Sequence, residues 1–538
     1  MSVSQDQRDI AVMDIETDPF EAGRFPRAFA IGILTDKAYN EWWGDDCIDC
    51  AMRFLEKYPR KLLIYAHNGG KFDFSFCARY ISNPIAIIKS RLGRAKLFHH
   101  EIRDSFLIMP FSLAAYRKTP IDYKKFERHC REKHKKEILA YLHDDCCDLF
   151  TLVSAFVNRF GRRLTIGKTA MVELRKLHNF NTMNEQSDEF FRQWYYGGRV
   201  QCFKSGLLPG PWKLYDVNAM YPHVMKSIKH PVNNSWDETD RLPRSFKKPF
   251  FAIIDATNRN ALALKTENGL TFKAERGEFY ACSHEIEIAL EYGLIDIHRV
   301  KACYVARQTI SFDSFVDKFY AEREVAKRNK DRITDLFGKY MLNAPYGKFG
   351  QNPRDYEDCV ISFDEFDAFK FINEGYELVE RWEEYSIWAK PSHIYDHSFF
   401  DVSIAASITS AARSILLDGL QRATEPVYCD TDAILCKSIA GDDVDQFALG
   451  KFKLEMECDN AVICGKKLYA LFDGTPSKAK FKKVVSKGGE LTGKQILKIA
   501  QGGTVEYDNP VPTYSWVRPA GFVSRRFKMT VDINEGTG

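Results

Sequence analysis

Two short stretches, LYDVNAMYP (residues 214–222) and VYCDTDAIL (residues 427–435), decide the fold class of this 538-residue chain. Each is an apolar strand that ends in acid, which is costly unless a metal ion or solvent compensates the charge. Asp430 and Asp432 stand two apart on a strand and therefore point to the same face. With Asp216 from the distant first stretch they form an oxygen-rich site suited to Mg²⁺. Such a site can hold two metal ions for in-line attack on a phosphate, so the sequence predicts nucleotidyl transfer.

A third stretch between them, KYMLNAPYG (residues 339–347), distinguishes this prediction from its alternative, two ordinary solvated acidic turns. Lys339, Asn343 and Tyr346 are spaced four and three apart, so on a helix they share one face. A lysine there offers a cation for a triphosphate, and a tyrosine offers a flat surface for a base. An ordinary amphipathic helix explains neither this polar stripe nor the glycine that follows it. Pro345 predicts that the helix kinks or ends there.

The N-terminal third carries a second set of acidic residues on three predicted elements. These elements are a buried strand at residues 10–13, an apolar run at residues 62–66 and a helix at residues 137–160. The side chains that they contribute are Asp14, Glu16, Asp73, Tyr141 and Asp145. Carboxylates from three elements are enough to hold two divalent ions. The alternative, an α/β domain with acids that cap its helices, explains any one of these motifs better than all three in order.

The order of the three central stretches resembles motifs A, B and C of family B DNA polymerases. Shorter matches resemble the protein-primed branch of small phages with linear genomes, especially the tectiviral type; they are Tyr195-Tyr196-Gly197-Gly198, Ile408-Thr409 with Arg413, and Lys467-Leu468-Tyr469. The N-terminal acids resemble the three exonuclease motifs of proofreading polymerases, and Asp104-Ser105-Phe106 resembles a further stretch that binds single strands. The resemblance runs from about Val12 to Tyr469 and thins beyond it. It implies a DNA-directed DNA polymerase with a 3′→5′ exonuclease.

The resemblance implies a multidomain fold of the α+β and α/β classes. A ribonuclease-H-like 3′→5′ exonuclease domain should precede a right-hand polymerase of palm, fingers and thumb that carries two insertions, the terminal-protein regions. The expected bounds are 1–165 for the exonuclease domain, 166–230 for the palm with motif A, 231–310 for the first insertion, 311–351 for the fingers with motif B, 352–400 for the second insertion, 401–470 for the palm with motif C, and 471–538 for the thumb.

By the same resemblance, individual residues receive roles. At the polymerase site, two metal ions are expected at Asp216, Val217 and Asp432, with Asp430 as a third catalytic carboxylate. At the exonuclease site, the catalytic and metal-binding carboxylates are Asp14, Glu16, Asp73 and Asp145, and Tyr141 orients the attacking water. The implied nucleotide-binding residues are Tyr221, whose ring excludes a 2′-hydroxyl, Lys327, Lys339, Asn343 and Tyr346. The implied DNA-binding and primer-binding residues are Asn68, Phe72, Ser105, Tyr195, Gly197, Gly198, Thr409, Arg413, Lys467 and Tyr469.

The implied cofactor is Mg²⁺, two ions at each active site, with Mn²⁺ as a substitute. The implied partners are template-primer DNA, dNTPs, a terminal protein that serves as primer and a single-stranded DNA-binding protein. The enzyme is expected to be a monomer and not to bind a membrane. Three alanines, at 219, 344 and 433, stand where these motifs usually carry serine. Each replacement removes a hydroxyl and with it a hydrogen bond of about 1 kcal/mol, so we expect the activity to be adjusted rather than lost. One alternative is a non-catalytic DNA-binding replication scaffold that retains the fold, and another is a polymerase that copies RNA.

Residues 352–398, within the second insertion, differ in character from the rest of the chain. They include twelve Asp or Glu, four Lys or Arg and ten aromatic residues. Because phosphate is repelled by acid, this composition argues against a simple DNA clamp. Two interpretations remain open: an acidic, aromatic surface that meets a basic primer protein, or a small core of its own.

Composition sets the outer limits of these predictions. Hydrophobic residues at 45% and aromatic residues at 14% exclude wholesale disorder. There is no apolar run of about 18 residues and no secretory segment, so the chain is expected in the cytoplasm, the host's if a phage encodes it. The net charge of +4 is small for a DNA-binding protein, but residues 474–498 hold seven lysines against one glutamate, which favours duplex binding there. The lone CxxC at Cys47 and Cys50 favours two reduced cysteines over a zinc site.

Overall fold

The computed structural model of the chain describes most of its sequence. The described residues are 8–20, 25–88, 90–117, 119–267, 269–355, 357–364, 366–381, 385–392, 399–441, 444–487, 491–505, 507–508, 513–516, 521–523 and 526–527. The last eleven residues of the predicted thumb, and Tyr356, Trp382 and Tyr395 of the predicted second insertion, therefore lie outside the described residues. All fourteen cysteines are free. Within the described ranges, no helix combines the length and apolar composition needed to cross a bilayer.

The N-terminal domain is a seven-stranded mixed sheet with helices on both faces. Its strands are β1 (Asp9–Thr17), β2 (Ala28–Thr35), β3 (Tyr39–Trp43), β4 (Leu62–Ala66), β5 (Ile81–Ile88), β6 (Arg91–Leu97) and β7 (His100–Asp104), and its helices are α1 (Cys47–Lys57), α2 (Asp73–Phe76) and α3 (Lys135–Phe160). The strand order is β3-β2-β1-β4-β7-β6-β5, with β1, β4 and β7 parallel to one another. The bounds of α3 confirm the helix predicted for residues 137–160.

The two-residue period of β1 decides where its acids point. Ala11 and Met13 pack on the side of the sheet that α1 covers, whereas Val12 packs with α3 on the other side. Asp14 and Glu16 continue the alternation that begins at Val12, so they face α3. The strand therefore presents its two carboxylates to the same helix that carries Asp145.

The next 150 residues lead from this domain into the rest of the chain. Their helices are α4 (Ile166–Leu177), α5 (Glu185–Phe191), α6 (Met220–Ser227) and α7 (Ser283–Glu291); their strands are β8 (Val200–Cys202), β9 (Gly206–Val217), β10 (His230–Pro231), β11 (Trp236–Thr239), β12 (Phe250–Asn258), β13 (Leu264–Thr266), β14 (Gly269–Thr271), β15 (Arg276–Cys282), β16 (Ile295–Ala306) and β17 (Thr309–Ile310). The predicted first insertion forms an antiparallel sheet in the order β11-β16-β12-β15, and β10 pairs with β17 at its base.

Two antiparallel helices follow, α8 (Asp313–Arg328) and α9 (Arg332–Phe349). An ion pair joins them, with Arg323 Nε 2.8 Å from Asp335 Oδ1. Gly338 lets the two helices approach closely, because a Cβ there would meet the side chain of Arg323. Helix α9 runs through Pro345 to Phe349, so of the two predicted effects of the proline, a kink or an end of the helix, the end is wrong.

The predicted second insertion is a small sheet beside the N-terminal domain. Its elements are β18 (Glu357–Ser362), α10 (Asp367–Asn373), β19 (Glu377–Arg381) and β20 (Ser386–Pro391), with the strand order β18-β20-β19. Phe371 and Trp388 are buried in it, whereas Phe366 and Phe369 are more than 80% exposed. Some aromatic residues of the segment therefore build a small core and others face solvent, and contact with a primer protein stays a prediction.

The central sheet of the molecule collects strands from both halves of the chain. The remaining elements are α11 (Val402–Arg422), β21 (Ala423–Thr424), β22 (Tyr428–Asp430), β23 (Ala433–Cys436), β24 (Ser438–Ile439), β25 (Phe452–Gly465), β26 (Leu468–Asp473), β27 (Lys480–Ser486), α12 (Gly493–Ala500), β28 (Tyr507–Asp508), β29 (Thr513–Ser515), β30 (Gly521–Val523) and β31 (Arg526–Phe527). The strand order is β27-β26-β25-β9-β23-β22-β8, and α11 packs against it. The predicted palm–thumb boundary at residue 470 falls within β26, and β27 continues the same sheet.

The last described segments return to the N-terminal domain. Trp516 is buried there, and its indole Nε1 donates to the carbonyl oxygen of Gly70 at 2.9 Å. The hydroxyl oxygen of Tyr514 lies 2.6 Å from that of Tyr385 in the predicted second insertion. Three parts of the chain that are far apart in sequence thus meet at the turn after β4.

Candidate active sites

The first site lies where β9, β23 and β25 run side by side. Ala433 of β23 is opposite Asp216 of β9, and the backbone N–H of Val217 donates to the carbonyl oxygen of Asp432 at 2.8 Å. This pairing brings Asp216 and Asp432 to one place, as the sequence analysis predicted. On the other side of β9, Lys453 is opposite Asp216.

Burial raises the pKa values of both carboxyls. The pKa of Asp432 is about 7, chiefly because burial disfavours the charged form and also because Asp216 is near. Burial raises the pKa of Asp216 as well, but Lys453 opposes the shift, with its Nζ 3.2 Å from Asp216 Oδ2. Sequence reasoning missed Lys453. It belongs to no recognised motif, and its place beside Asp216 follows only from the pairing of β25 with β9.

Asp430 has a different environment from the other two acids. Its carboxylate accepts hydrogen bonds from Lys467 Nζ at 2.7 and 3.0 Å and from the Tyr428 hydroxyl at 3.2 Å. The turn that follows it contains Thr431 in a left-handed conformation, with φ of 62°. Asp430 is therefore neutralised by a protein cation and holds Lys467 at the edge of the site. Tyr469, predicted to bind the primer, is buried against Tyr428, whose hydroxyl oxygen accepts a hydrogen bond from the backbone N–H of Lys467 at 3.0 Å.

Two tyrosine rings lie beside the acids. Tyr221 of α6 and Tyr346 of α9 stack with ring centroids 4.0 Å apart and an angle of 5° between their planes. Burial raises the pKa of both hydroxyls, and the charge of Asp432 raises them further. The stacked pair therefore borders the acidic site and joins it to the helix pair α8 and α9.

The polar residues predicted to bind nucleotide with Tyr346 lie on the exposed side of the helix pair. Lys339 is exposed, and its carbonyl oxygen accepts a hydrogen bond from Asn343 Nδ2 at 3.0 Å. Lys327 is exposed too, and its Nζ lies 2.8 Å from Glu324 Oε1 on its own helix. Both lysines are accessible to a solvent-borne anion.

The predicted DNA contacts of Thr409 and Arg413 need correction. Both side chains lie inside the protein on α11, and the Thr409 hydroxyl donates to the carbonyl oxygen of Ala406 at 3.2 Å. Arg413 forms two hydrogen bonds with the carboxylate of Glu285. A buried, paired guanidinium has no free donor face for a phosphate, so neither side chain reaches DNA in this structure.

The segment from Tyr195 to Gly198 lies against both the helix pair and the acidic turn. Gly350, at the end of α9, packs so closely on the Tyr195 ring that a Cβ there would overlap it, and a Cβ at Gly198 would lie 2.8 Å from Thr431 Cγ2. Gly197 is exposed. Sequence reasoning identified this segment but not its neighbours.

The second site is in the N-terminal domain. One carboxylate oxygen from each of Asp14, Glu16 and Asp145 lies within 4.8 Å of the others, a spacing that could hold a metal ion. Burial raises the pKa of Asp14 to about 7, and the charge of Asp145 adds to the shift. The pKa values of Glu16 and Asp73 are also raised, mainly by burial and then by the charge of Asp14. The four predicted carboxylates are therefore together.

Tyr141 lies one helical turn before Asp145 on α3, and its hydroxyl contacts the Asp145 carboxylate. Its hydroxyl oxygen is also 3.4 Å from that of Tyr123. Tyr123 was not predicted, and it belongs to a short 3₁₀ turn outside any motif. The hydroxyl of Tyr141 is thus held beside the carboxylates, where it could orient a water molecule.

The predicted strand-holding residues lie on the turn after β4 and at the end of β7. Asn68 is left-handed, with φ of 61°, and its Oδ1 accepts a hydrogen bond from Arg91 at 2.7 Å. Phe72 packs edge-on against Phe20 with ring centroids 5.6 Å apart. Ser105 is fully buried, and its hydroxyl donates to the carbonyl oxygen of Ala66 at 3.2 Å. The prediction that Ser105 contacts DNA therefore needs correction, because that hydroxyl supports β4 instead.

The lysine-rich stretch predicted to bind a duplex lies at the edge of the central sheet. Lys482 Nζ is 2.6 Å from Asp473 Oδ2, and Lys483 Nζ is 3.1 Å from Glu455 Oε2. The other five lysines are exposed. Part of the positive charge is thus offset by the sheet itself, and the rest faces solvent.

The chain is similar to DNA polymerases along nearly its whole length. The family model described as DNA polymerase type B, organellar and viral, matches residues 115–434. The DNA-directed DNA polymerase of Enterobacteria phage PRD1 is 37% identical over 547 residues, covering 97% of this chain and 98% of that protein. A solved structure of phi29 DNA polymerase complexed with primer-template DNA matches with a TM-score of 0.72 at 20% identity, covering 98% of this chain and 100% of that one. This likeness confirms the predicted fold class.

The raised pKa values make the stability of the metal-free protein depend on pH in an unusual direction. Asp14 and Asp432 take up protons near pH 7 when folded, whereas unfolded aspartates do so near pH ~4. The folded state binds more protons between these values, so it gains stability as the pH falls from 8 to 6. We expect the melting temperature without divalent ions to rise over this range more than that of the Asp14→Asn, Asp432→Asn double variant. Added Mn²⁺ should raise it more at pH 8 than at pH 6. Equal pH dependence in the two proteins would contradict the assignment.

Proposed function

Since this chain belongs to the organellar and viral type B DNA polymerases and is a DNA-directed DNA polymerase, we propose that it extends primers by two-metal-ion nucleotidyl transfer at Asp216 and Asp432. The observation that supports this site most strongly is the hydrogen bond from Val217 to Asp432. It joins the end of β9 to the start of β23 and so brings the two half-buried carboxylates close together. A scaffold that only binds DNA has no need of buried acids with raised pKa values.

The donor set suits hard divalent cations, and we propose Mg²⁺ with Mn²⁺ as a substitute. Asp216, Asp432 and Val217 supply oxygen ligands at the polymerase site, and oxygen is the donor that Mg²⁺ prefers. Positive charge there would stabilise the ionised form of Asp432, whose pKa is raised by burial and then by the charge of Asp216. Ions held by these residues would lower the pKa of the attacking primer hydroxyl and neutralise charge on the leaving pyrophosphate. Lys453 stabilises the ionised form of Asp216, and Asp430 keeps Lys467 beside the primer terminus.

The helix pair α8 and α9 is proposed to deliver the nucleotide. The exposed ammonium groups of Lys327 and Lys339 are available to the triphosphate, where they would stabilise charge that builds during transfer. Asn343 lies on the same helix and bonds to the Lys339 backbone, so it supports that lysine. Tyr346 offers its stacked ring to the nascent base pair. Tyr221, beneath it, would then lie under the sugar and leave no space for a 2′-hydroxyl.

The N-terminal site is proposed to remove misinserted nucleotides from the 3′ end. Asp14, Glu16, Asp73 and Asp145 would hold two divalent ions, and the Tyr141 hydroxyl would orient the attacking water. The support for this role is the spacing of 4.8 Å or less among three carboxylates, together with the tyrosine that contacts one of them. On the adjacent turn, Asn68 and Phe72 are placed to hold a frayed strand.

As a DNA-directed DNA polymerase, the chain acts on DNA and dNTPs. We further propose that it starts synthesis on a terminal protein, works as a monomer in the host cytoplasm and cooperates with a single-stranded DNA-binding protein. We also propose the predicted domain bounds as subdomains, with the palm extended through β27. Tyr195, Gly197 and Gly198 would guide the template between the two sites, and the five exposed lysines of residues 474–498 would follow the product duplex.

The two activities should separate by mutation. Asp432→Ala should abolish primer extension, because Asp216 alone cannot hold the ions, while digestion of single-stranded DNA continues. The Asp14→Ala, Glu16→Ala double variant should lose digestion and retain extension. Gel assays with labelled primers measure both. Persistent extension in the first variant would remove Asp432 from the site, and failure of the native protein to extend with either ion would favour a scaffold.

The stacked tyrosines predict how the enzyme selects its sugar. Tyr221→Val should admit ribonucleotides, with discrimination against rNTPs falling about 10- to 100-fold, because a smaller side chain leaves space for the 2′-hydroxyl. The measurement is the ratio of kcat/KM for dCTP and rCTP on one template. Tyr221→Phe is the matched control, since it keeps the ring and should keep the selection. Unchanged selection in the valine variant would contradict the assigned position of the ring.

Protein priming can be tested separately from polymerisation. The candidate terminal protein, supplied with one labelled dNTP and the polymerase, should acquire a covalently bound nucleotide. The label should be absent when Asp432→Ala replaces the native enzyme. If DNA primers are extended but no label reaches the protein, the polymerase function holds and the priming proposal is wrong.

A further inference from the structure

The buried side chain of Arg413 links the first insertion to the polymerase site. Its Nε and Nη2 bond to the two carboxylate oxygens of Glu285 at 2.7 and 2.8 Å, and Glu285 stands in the first turn of α7, within the insertion. Its remaining nitrogen, Nη1, donates to the carbonyl oxygens of Tyr196 and Gly197 at 2.9 and 3.0 Å. One guanidinium thus joins a side chain of the insertion to the backbone of the segment from Tyr195 to Gly198.

That segment continues directly to the acidic turn. The carbonyl oxygen of Arg199 accepts a hydrogen bond from the backbone N–H of Thr431 at 2.7 Å, and Gly198 packs on the Thr431 side chain. The Thr431 hydroxyl donates to Asp430 Oδ1 at 3.1 Å. Thr431 has positive φ, a conformation that a non-glycine residue keeps only when its surroundings hold it. The backbone segment that accepts hydrogen bonds from Arg413 therefore also contacts the turn between Asp430 and Asp432.

We infer that Glu285 is a positioning residue of the polymerase site, which acts through Arg413 on the backbone of residues 195–199. Neither side chain touches substrate, because both are almost fully buried, with 2% of the Arg413 side chain and 4% of the Glu285 side chain exposed. Arginine suits this role, since its planar fork binds a carboxylate with one edge and leaves a further N–H for the carbonyl groups. The carboxylate keeps the guanidinium oriented, and the guanidinium keeps the acidic turn in register.

The contacts of Arg413 favour one of two roles for this residue, direct binding of DNA or positioning of the acidic turn, which the sequence alone does not distinguish. If Arg413 bound DNA directly, losing its partner would change the affinity for template-primer and the salt dependence of that affinity. If it positions the acidic turn, the loss acts on the rate of chemistry, because small displacements of catalytic groups reduce the rate strongly. In the second case the first insertion helps to position the catalytic carboxylates, through Glu285 and Arg413.

The experiment uses the full-length protein with Glu285→Gln, which preserves size and removes the carboxylate charge. Single-turnover incorporation of one dNTP should be about 10- to 100-fold slower at saturating nucleotide. The Kd for template-primer should stay within about twofold of the native value. Arg131→Met is the matched control: it breaks a buried pair in the N-terminal domain, where Arg131 Nη1 lies 2.7 Å from Asp18 Oδ1. It should lower the melting temperature and leave the incorporation rate unchanged.

A second variant keeps the test decisive if the first is poorly folded. The Glu285→Met, Arg413→Met double variant removes both charges, and such replacements often preserve or increase stability. It should melt near the native temperature but still incorporate slowly, because the carbonyl groups of Tyr196 and Gly197 have lost their donor. Native rates in this variant, or in a folded Glu285→Gln protein, would overturn the inference. Weaker DNA binding with an unchanged rate would also overturn it and return Arg413 to the DNA-binding residues.

Discussion

The rest of the structure depends on the burial of like charges at strand ends. Asp216 and Asp432 are forced together because β9 pairs with β23, and burial, followed by the charge of Asp216, raises the pKa of Asp432. A stable fold tolerates this only if other interactions hold the strands in place. Here α11 packs across the sheet, and Lys453 stands beside one of the two acids. The site is thus a region of unfavourable electrostatics that the surrounding core stabilises and that cations relieve.

The N-terminal domain meets the same constraint with different elements. Its acids come from the strand β1, the short helix α2 and the long helix α3, and the alternation along β1 directs Asp14 and Glu16 toward α3. In the central sheet, by contrast, the two principal acids come from adjacent strands. Both sites combine buried carboxylates with a tyrosine hydroxyl or ring from a neighbouring helix. The two sites share this arrangement although their sheets differ in strand order and direction.

Many of the secondary-structure elements and candidate site residues could be predicted from the sequence, because local patterns determine them. Hydrophobic periodicity predicts the apolar strands, the α3 helix and the shared helix face of Lys339, Asn343 and Tyr346. The family resemblance then assigns these elements to known motifs. Pairing partners could not be read in this way. Lys453 reaches Asp216, and Glu285 reaches Arg413, only through contacts between distant segments. The burial of polar residues could not be predicted from the sequence either. Ser105, Thr409 and Arg413 belong to recognised motifs, yet each side chain is buried and makes its hydrogen bonds within the protein.

The meeting of Trp516 with the turn after β4 has a consequence for how such chains evolve. The carbonyl group of Gly70 is held by an indole from the far end of the chain, and Tyr514 beside it contacts Tyr385 of the second insertion. Three stretches encoded by separate parts of the gene therefore share one interface. Recombination that exchanged the N-terminal domain between diverged relatives would bring together surfaces without a common history. Inheritance of the whole reading frame as one unit is the arrangement that keeps this junction matched.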